Sequence, residues 1–353
     1  MDIKKNIKLD SIQIMRGIGA ILIILFHSTT LYQIKFNISY LNGIFKFGFI
    51  GVDLFFIVSG FILLYTRKKE SVGKYLVKRF VRIYPLYWVI LSCVIILMFI
   101  IPNAGNGGQK NIVFLLKNIF LIPDKSLFMI PQAWTLSYEI LFYLMFLTTM
   151  ASNKKIAKIV IELWTVGCLV NTIGNFNNAN LFIKVMFNPV NLEFLIGGMI
   201  YFLIIKYKES ITRKICNISI VVGLMLTCFF ATLIYFDKPY LSRILIGLSL
   251  ALIIFGVIVK NIKYECKYNK FLIYIGNASY SIYLTHFTLI SATIIILQKT
   301  NIKCINSFTI TLVDIVIVAC GCICHNVLEK PIGKYFKNLF KKADKLKDIM
   351  IKQ

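Results

Sequence analysis

The stretch "RGIGAILIILFH", residues 16–27, opens on a guanidinium, closes on an imidazole and is almost wholly apolar between them. Its apolar side chains fall on every side of a helix rather than along one stripe, as burial in lipid demands. Comparable runs recur from end to end, each ~20 residues long and so able to cross a bilayer as a helix. The chain of 353 residues is 58% hydrophobic and only 16% charged, which argues against a soluble protein with polar helix or strand faces. The expected fold is an all-α polytopic membrane protein, a bundle of ten transmembrane helices with interfacial helices added. The spans are placed near 11–33, 45–66, 82–101, 134–150, 156–174, 188–205, 215–236, 240–260, 272–297 and 307–328.

Lys4, Lys5 and Lys8 precede the first span, as in a signal peptide. That span is too long for a signal h-region and no small-residue cleavage site follows it, so it is read as a true span. The formal net charge of +25 would suit a nucleic-acid partner if it were clustered. Instead, thirty of the forty Lys and Arg residues lie in alternate segments, beginning with the N-terminal tail. This is the positive-inside pattern; it predicts cytoplasmic N- and C-termini and no nucleic acid partner.

No soluble domain interrupts the chain. Residues 1–332 are expected to form the membrane domain and 333–353 a basic amphipathic tail. The connection from Pro102 to Ala133 opens with the turn-rich "PNAGNGG" and continues with "NIVFLLKNIFLIP", which reads as an interfacial or re-entrant helix. The tail puts Tyr335, Phe336, Leu339 and Phe340 on one face and lysines on the other, suiting an anionic leaflet. Cys320, Cys322 and Cys324 form a C-x-C-x-C run with no finger-like His or Cys pair, so no metal is expected.

Ionisable groups inside spans are expensive and therefore mark sites. Eleven residues separate Arg16 from His27, about 1100° of rotation, so the two share a face ~16 Å apart. Snorkelling of Arg16 and one interhelical bond from His27 would explain the same residues without a shared cavity. Arg79 and Arg82, in "KRFVRIYP", neighbour each other on one face and suit phosphate oxygens; simple charge anchoring would need no such spacing. Glu139, in "AWTLSYEILFY", lies about five residues inside the outer end of the fourth span, where an unpaired charged carboxylate costs several kcal/mol. His27 and Glu139 both fall in the central-to-outer part of the membrane, where an imidazole oriented by a carboxylate makes a general-base pair. Asp53, Glu193 and His286 are further candidates, either for substrate or for bonds within the bundle. Asp314 and His325 lie near span ends and are expected to meet water or headgroups.

In order along the chain, six strings resemble the membrane acyltransferase-3 family, bacterial O-acyltransferases of surface glycans. They are "LDSIQIMRGIGAILIILFH", "FIGVDLFFIVSGFIL", "KRFVRIYPLYW", "AWTLSYEILFYL", "LIYIGNASYSIYLTH" and "VLEKPIGKY". They carry Arg16, His27, Asp53, Arg79, Arg82, Trp134, Ser137, Glu139, Tyr143, Tyr283, His286, Glu329 and Pro331. Longer family members carry a fused extracytoplasmic hydrolase-like domain that this sequence lacks, so a second transfer step would need a partner.

The resemblance implies acyl transfer from acyl-CoA, usually acetyl-CoA, used as a co-substrate with no permanently bound cofactor. The implied location is the bacterial cytoplasmic membrane. The acceptor would be a hydroxyl of a surface or lipid-linked glycan, with membrane lipids and glycan-assembly proteins as further partners. Arg16, Arg79 and Arg82 would hold the donor's phosphates, His27 would act as general base and Glu139 would orient it. Trp134, Ser137, Tyr143 and Tyr283 would support substrate, and Asp53, Glu193 and His286, singled out by their places in the spans, are grouped with them. The rival class is a transporter of a glycan or small anion that uses the same buried groups.

Overall fold

The computed structural model describes residues 9–67, 71–100, 111–174, 180–233, 239–264, 266–300 and 305–352. The "PNAGNGG" stretch and Lys4, Lys5 and Lys8 lie outside them. Every regular element among the described residues is helical. The long helices are α1 (Asp10–Phe36), α2 (Ile50–Tyr65), α3 (Val72–Ile100), α5 (Trp134–Ala151), α6 (Lys154–Gly174), α8 (Asn191–Tyr207), α9 (Arg213–Leu233), α10 (Pro239–Lys263), α11 (Lys270–Lys299), α12 (Ser307–Cys324) and α13 (Lys330–Lys352). Two short helices, α4 (Ile112–Ile119) and α7 (Leu181–Met186), sit in connections.

Eight of the described helical segments are long and apolar enough to cross a membrane. The expected fourth and fifth spans do form helices, α5 and α6, but are not among the eight. The cause is compositional. Helix α5 opens with Trp134, Thr135, Ser137, Tyr138 and Glu139, and α6 carries Lys154, Lys155, Lys158 and Glu162. The expected boundary at 332/333 falls inside α13, which crosses it unbroken.

Asparagine starts several of these helices. Asn111, Asn180, Asn269 and Asn306 each turn a side-chain oxygen onto a first-turn N–H, satisfying donors that lipid would leave bare. The segment expected to form an interfacial or re-entrant helix folds as α4. Its final carbonyls are capped from α3: Tyr87 donates to the Asn118 carbonyl at 2.8 Å, Trp88 to Ile119 at 2.9 Å and Tyr84 to Phe120 at 3.1 Å.

Helix α1 stands between α2 and α11. It runs parallel to α11, with Gln13 against Gly276 near their starts and His27 beside His286 further on. A Cβ on Gly276 would lie 1.8 Å from the Gln13 carbonyl oxygen, so only glycine permits this approach. Helix α8 packs on α2 the same way: a Cβ on Gly60 would meet the Phe194 carbonyl at 2.0 Å.

Candidate active site

A cavity of about 510 Å³, counting its open side, lies where α1, α2, α3, α5 and α11 converge. Arg16, Arg82 and Glu139 supply its charged groups; Ser59, Thr135, Ser279, Tyr280 and Tyr283 supply hydroxyls. Phe55 and Phe56 of α2 form an apolar wall. Arg16 lies within electrostatic reach of Arg82, Glu329, Glu139 and Tyr143, and its guanidinium donates to Gln13 at 3.0 Å.

The paired arginines of α3 diverge. Arg79 sits over the rings of Tyr75 and Tyr143, 5.2 and 5.1 Å from their centroids. Tyr143 in turn donates a hydrogen bond to Glu139 one turn earlier on α5. Arg82 stacks on Tyr280 at 5.4 Å and pairs with Glu329 at 3.8 Å. Tyr280 is fixed by donating to the Ile83 carbonyl at 2.7 Å.

Glu329 ends a π-helical turn, His325–Glu329, between α12 and α13. Pro331 brings no N–H to continue the α-helical ladder there, and the wider turn re-aims the side chains. Glu329 accepts from Ser281 at 2.7 Å and meets His325 Nδ1 at 2.7 Å. His325 is thus 6% exposed and paired, not solvated as its place near a span end predicts. Asp314 differs from expectation likewise: it is 5% exposed and accepts from Ser28 at 2.5 Å, because its face of α12 packs against α1.

His27 occupies a separate aromatic environment. Its ring lies 5.3 Å from that of His286 and 5.1 Å from those of Phe26 and Phe287. His286 is fully buried, and its Nδ1 lies 2.6 Å from the Tyr283 carbonyl. A carbonyl only accepts, so Nδ1 carries the proton, and in the neutral ring Nε2 keeps a free lone pair. That Nε2 is buried and has no partner.

The structure brings His27 and Glu139 to one region but not into contact. No hydrogen bond or ion pair joins them among the described residues, so the expected direct orientation of the imidazole by this carboxylate is not the arrangement observed. The helix geometry explains it. Tyr283 is level with Thr135, to which it hydrogen-bonds at 2.9 Å. His286 lies one turn beyond it and Glu139 one turn back, which separates the two groups by ~10 Å along the bundle at 1.5 Å per residue. Tyr283 stands between them, lining the cavity with its ring 5.6 Å from that of His286.

The remaining candidates lie outside the cavity lining. Ser137 donates to the Leu121 carbonyl at 2.7 Å and ties α5 to the turn after α4. Trp134 contacts the rings of Phe56 and Tyr138. Asp53 and Glu193, both buried, share Arg243, whose nitrogens reach Asp53 at 2.7 Å and Glu193 at 3.6 Å. Arg243 was missed in the sequence, although an arginine inside the expected 240–260 span is the signal that marked the others. Gln132, Ser279, Tyr280 and Ser281 were missed too; uncharged and common in membrane helices, they carry no such signal.

The fold and this cavity define a membrane enzyme-like bundle, and comparison places it. A family model described as an acyltransferase domain, acyltransferase-3, matches residues 9–327, nearly the whole chain. The chain belongs to the acyltransferase-3 family and is a multi-pass membrane protein. It is similar to the exopolysaccharide production protein ExoZ of Rhizobium meliloti (strain 1021), with 29% identity over 170 residues, covering 44% of this chain and 51% of that protein. It is also similar to the peptidoglycan O-acetyltransferase OatA of Listeria monocytogenes serovar 1/2a, with 25% identity over 328 residues, covering 82% of this chain and 51% of that protein. The chain thus spans about half the length of the curated relatives it matches. No solved structure matches it.

Proposed function

We propose that the chain is an O-acyltransferase of the cytoplasmic membrane, moving an acetyl group from cytoplasmic acyl-CoA to a hydroxyl of a surface or lipid-linked glycan. In this reading α5 and α6 join the eight apolar helices as membrane crossings, for ten in all. Both termini are cytoplasmic, and α13 rests on the inner leaflet. The observation that carries the reading is a second, basic cavity of about 810 Å³, counting its open side, between α3 and α13. Lys78, Arg82 and Lys337 line it beside Tyr280 and Phe336, with Glu329, the partner of Arg82, as the one acid among the described lining residues; Arg82 and Tyr280 also line the Glu139 cavity.

This pairing suits the donor's shape. Phosphates and adenine occupy the basic, aromatic mouth, and the pantetheine arm passes Arg82 and Tyr280 to bring the thioester into the inner cavity. Arg16 and Arg79 add positive potential from α1 and from behind Tyr143. The acceptor oxygen attacks the thioester carbonyl carbon while its proton passes to His27. The carbon–sulfur bond then breaks, and the thiolate leaves with a proton returned from the imidazolium. His286, with its Nε2 lone pair free, is placed to share that proton. Glu139 assists through its charge across the cavity rather than by touching the ring. The names of the relatives, a peptidoglycan O-acetyltransferase and an exopolysaccharide production protein, support a glycan acceptor. Glycan-assembly proteins are the partners this implies.

Acetyl-CoA thioester consumption by purified protein in liposomes, with a surface-glycan extract and beside His27→Ala, tests the reading. Glycan-stimulated turnover that vanishes in the variant is expected. Absence of both donor binding and turnover, with solute moved across the bilayer, would replace it by a transporter.

A further inference from the structure

A third concavity belongs to neither donor nor acceptor. It is a groove of about 1560 Å³, counting its open side, between α2, α5, α6 and α8. Most of its lining is apolar. Its charges lie at one end only. Arg67 follows the end of α2, Lys154 begins α6 just after α5, and Lys206 is in the last turn of α8. All three are exposed, none forms an ion pair among the described residues, and no carboxylate is among the lining residues.

We propose that this groove is a specific site for an anionic phospholipid, with its phosphate held by Arg67, Lys154 and Lys206 and its acyl chains laid along the apolar floor. The charge pattern selects this occupant: three cations from three helices meet one headgroup, and nothing polar meets the tails. Membrane phosphate is the chemistry that clustered basic side chains at a leaflet recognise. A neutral lipid or hydrophobic peptide would offer the three cations no anion, leaving Arg67 and Lys206 only the rings of Phe146 and Tyr207, 5.5 and 4.9 Å from them. The site also has a route to the active-site cavity. Phe142 of the groove stacks on Phe194 at 4.4 Å, Phe194 packs on Phe56 at 4.6 Å, and Phe56 lines that cavity. Lipid tails at the inner end of the groove therefore brace the cavity's apolar wall.

Trp164 lines the groove and is one of three tryptophans, so it can report occupancy without any assay of acyl transfer. In a Trp88→Phe, Trp134→Phe background reconstituted in phosphatidylcholine, a minor fraction of brominated phosphatidylglycerol should quench Trp164 more than the same fraction of brominated phosphatidylcholine. Each single change, Arg67→Gln, Lys154→Gln or Lys206→Gln, should weaken that preference about fivefold, the equivalent of about 1 kcal/mol per basic residue. The triple change should abolish it, and Lys214→Gln, an equal charge loss on α9, should not. Equal quenching by the two lipids, or a preference that survives the triple change, overturns the proposal. If the tryptophan background does not fold, native mass spectrometry of the unmodified chain decides instead. Retained phosphatidylglycerol that disappears in the triple variant supports the site; equal retention overturns it.

Discussion

The rings of His27 and His286 stand 5.3 Å apart, centroid to centroid, on two helices that run parallel. This neighbour, rather than the carboxylate of Glu139, is what the fold supplies to His27. Removing either imidazole should therefore damage the same step. His27→Ala should lower kcat by about 10²- to 10⁴-fold, the usual worth of a general base. His286→Ala should lower kcat, with the KM for the donor little changed. Steady-state kinetics with acetyl-CoA would show it; full activity in His286→Ala would leave His27 acting alone.

Glu139 is tied to Tyr143, and Tyr143 carries Arg79 on its face. Glu139→Ala should abolish transfer while the protein still elutes as a folded species on size exclusion. Tyr143→Phe keeps the ring and removes only the hydroxyl, so it should cost far less, about tenfold or under, near the worth of one hydrogen bond. Equal losses in the two variants would show that the hydroxyl itself takes part.

Arg82 bridges the two cavities and pairs with Glu329 at 3.8 Å. Arg79→Ala and Arg82→Ala should each raise the KM for acyl-CoA more than they lower kcat. Direct titration of coenzyme A by calorimetry checks this, and unchanged affinity in both variants would reduce the pair to charge anchoring.

Asp53 and Glu193, both buried, share one partly exposed base, Arg243. Arg243→Met would leave two carboxylates without a counter-charge, and removing one partner of a buried pair costs about 3–5 kcal/mol. Thermal unfolding in detergent should show a large fall, partly reversed by adding Asp53→Asn and Glu193→Gln.

Gly60 faces the Phe194 backbone so closely that an added Cβ would sit 2.0 Å from its carbonyl oxygen. Gly60→Ala should force α2 and α8 apart and lose about 1–3 kcal/mol, the range seen for overpacking. Gly73, with open space around its Cβ position, is the control: Gly73→Ala should be neutral or slightly stabilising.

The sequence makes the helical, membrane-embedded character plain. Solvation in lipid acts on each segment separately, so a run such as 16–27 can be read without knowing its neighbours. The same rule marked Arg16, His27, Glu139, Asp53 and Glu193, each an ionisable group where lipid makes charge costly. It applied equally to Arg243, which was passed over. It could not reach Ser279, Tyr280 or Ser281, whose hydroxyls cost little in a membrane helix and matter only through what they face. For Asp314 and His325, closeness to a span end pointed to solvent, while packing against α1 and the π-turn buried both.

Helical periodicity assigns each residue a face and a depth, and those two coordinates were enough to place Arg16 and His27 on one side of α1. Which helix meets that side is a long-range choice, set by close backbone approaches such as Gly276 on Gln13 and by where a turn widens before Pro331. Those contacts put His286 beside His27, Arg16 and Glu139 on the wall of one cavity, and Glu329 beside Arg82. Pairing of this kind depends on residues hundreds of positions apart packing at once, and no local pattern encodes it.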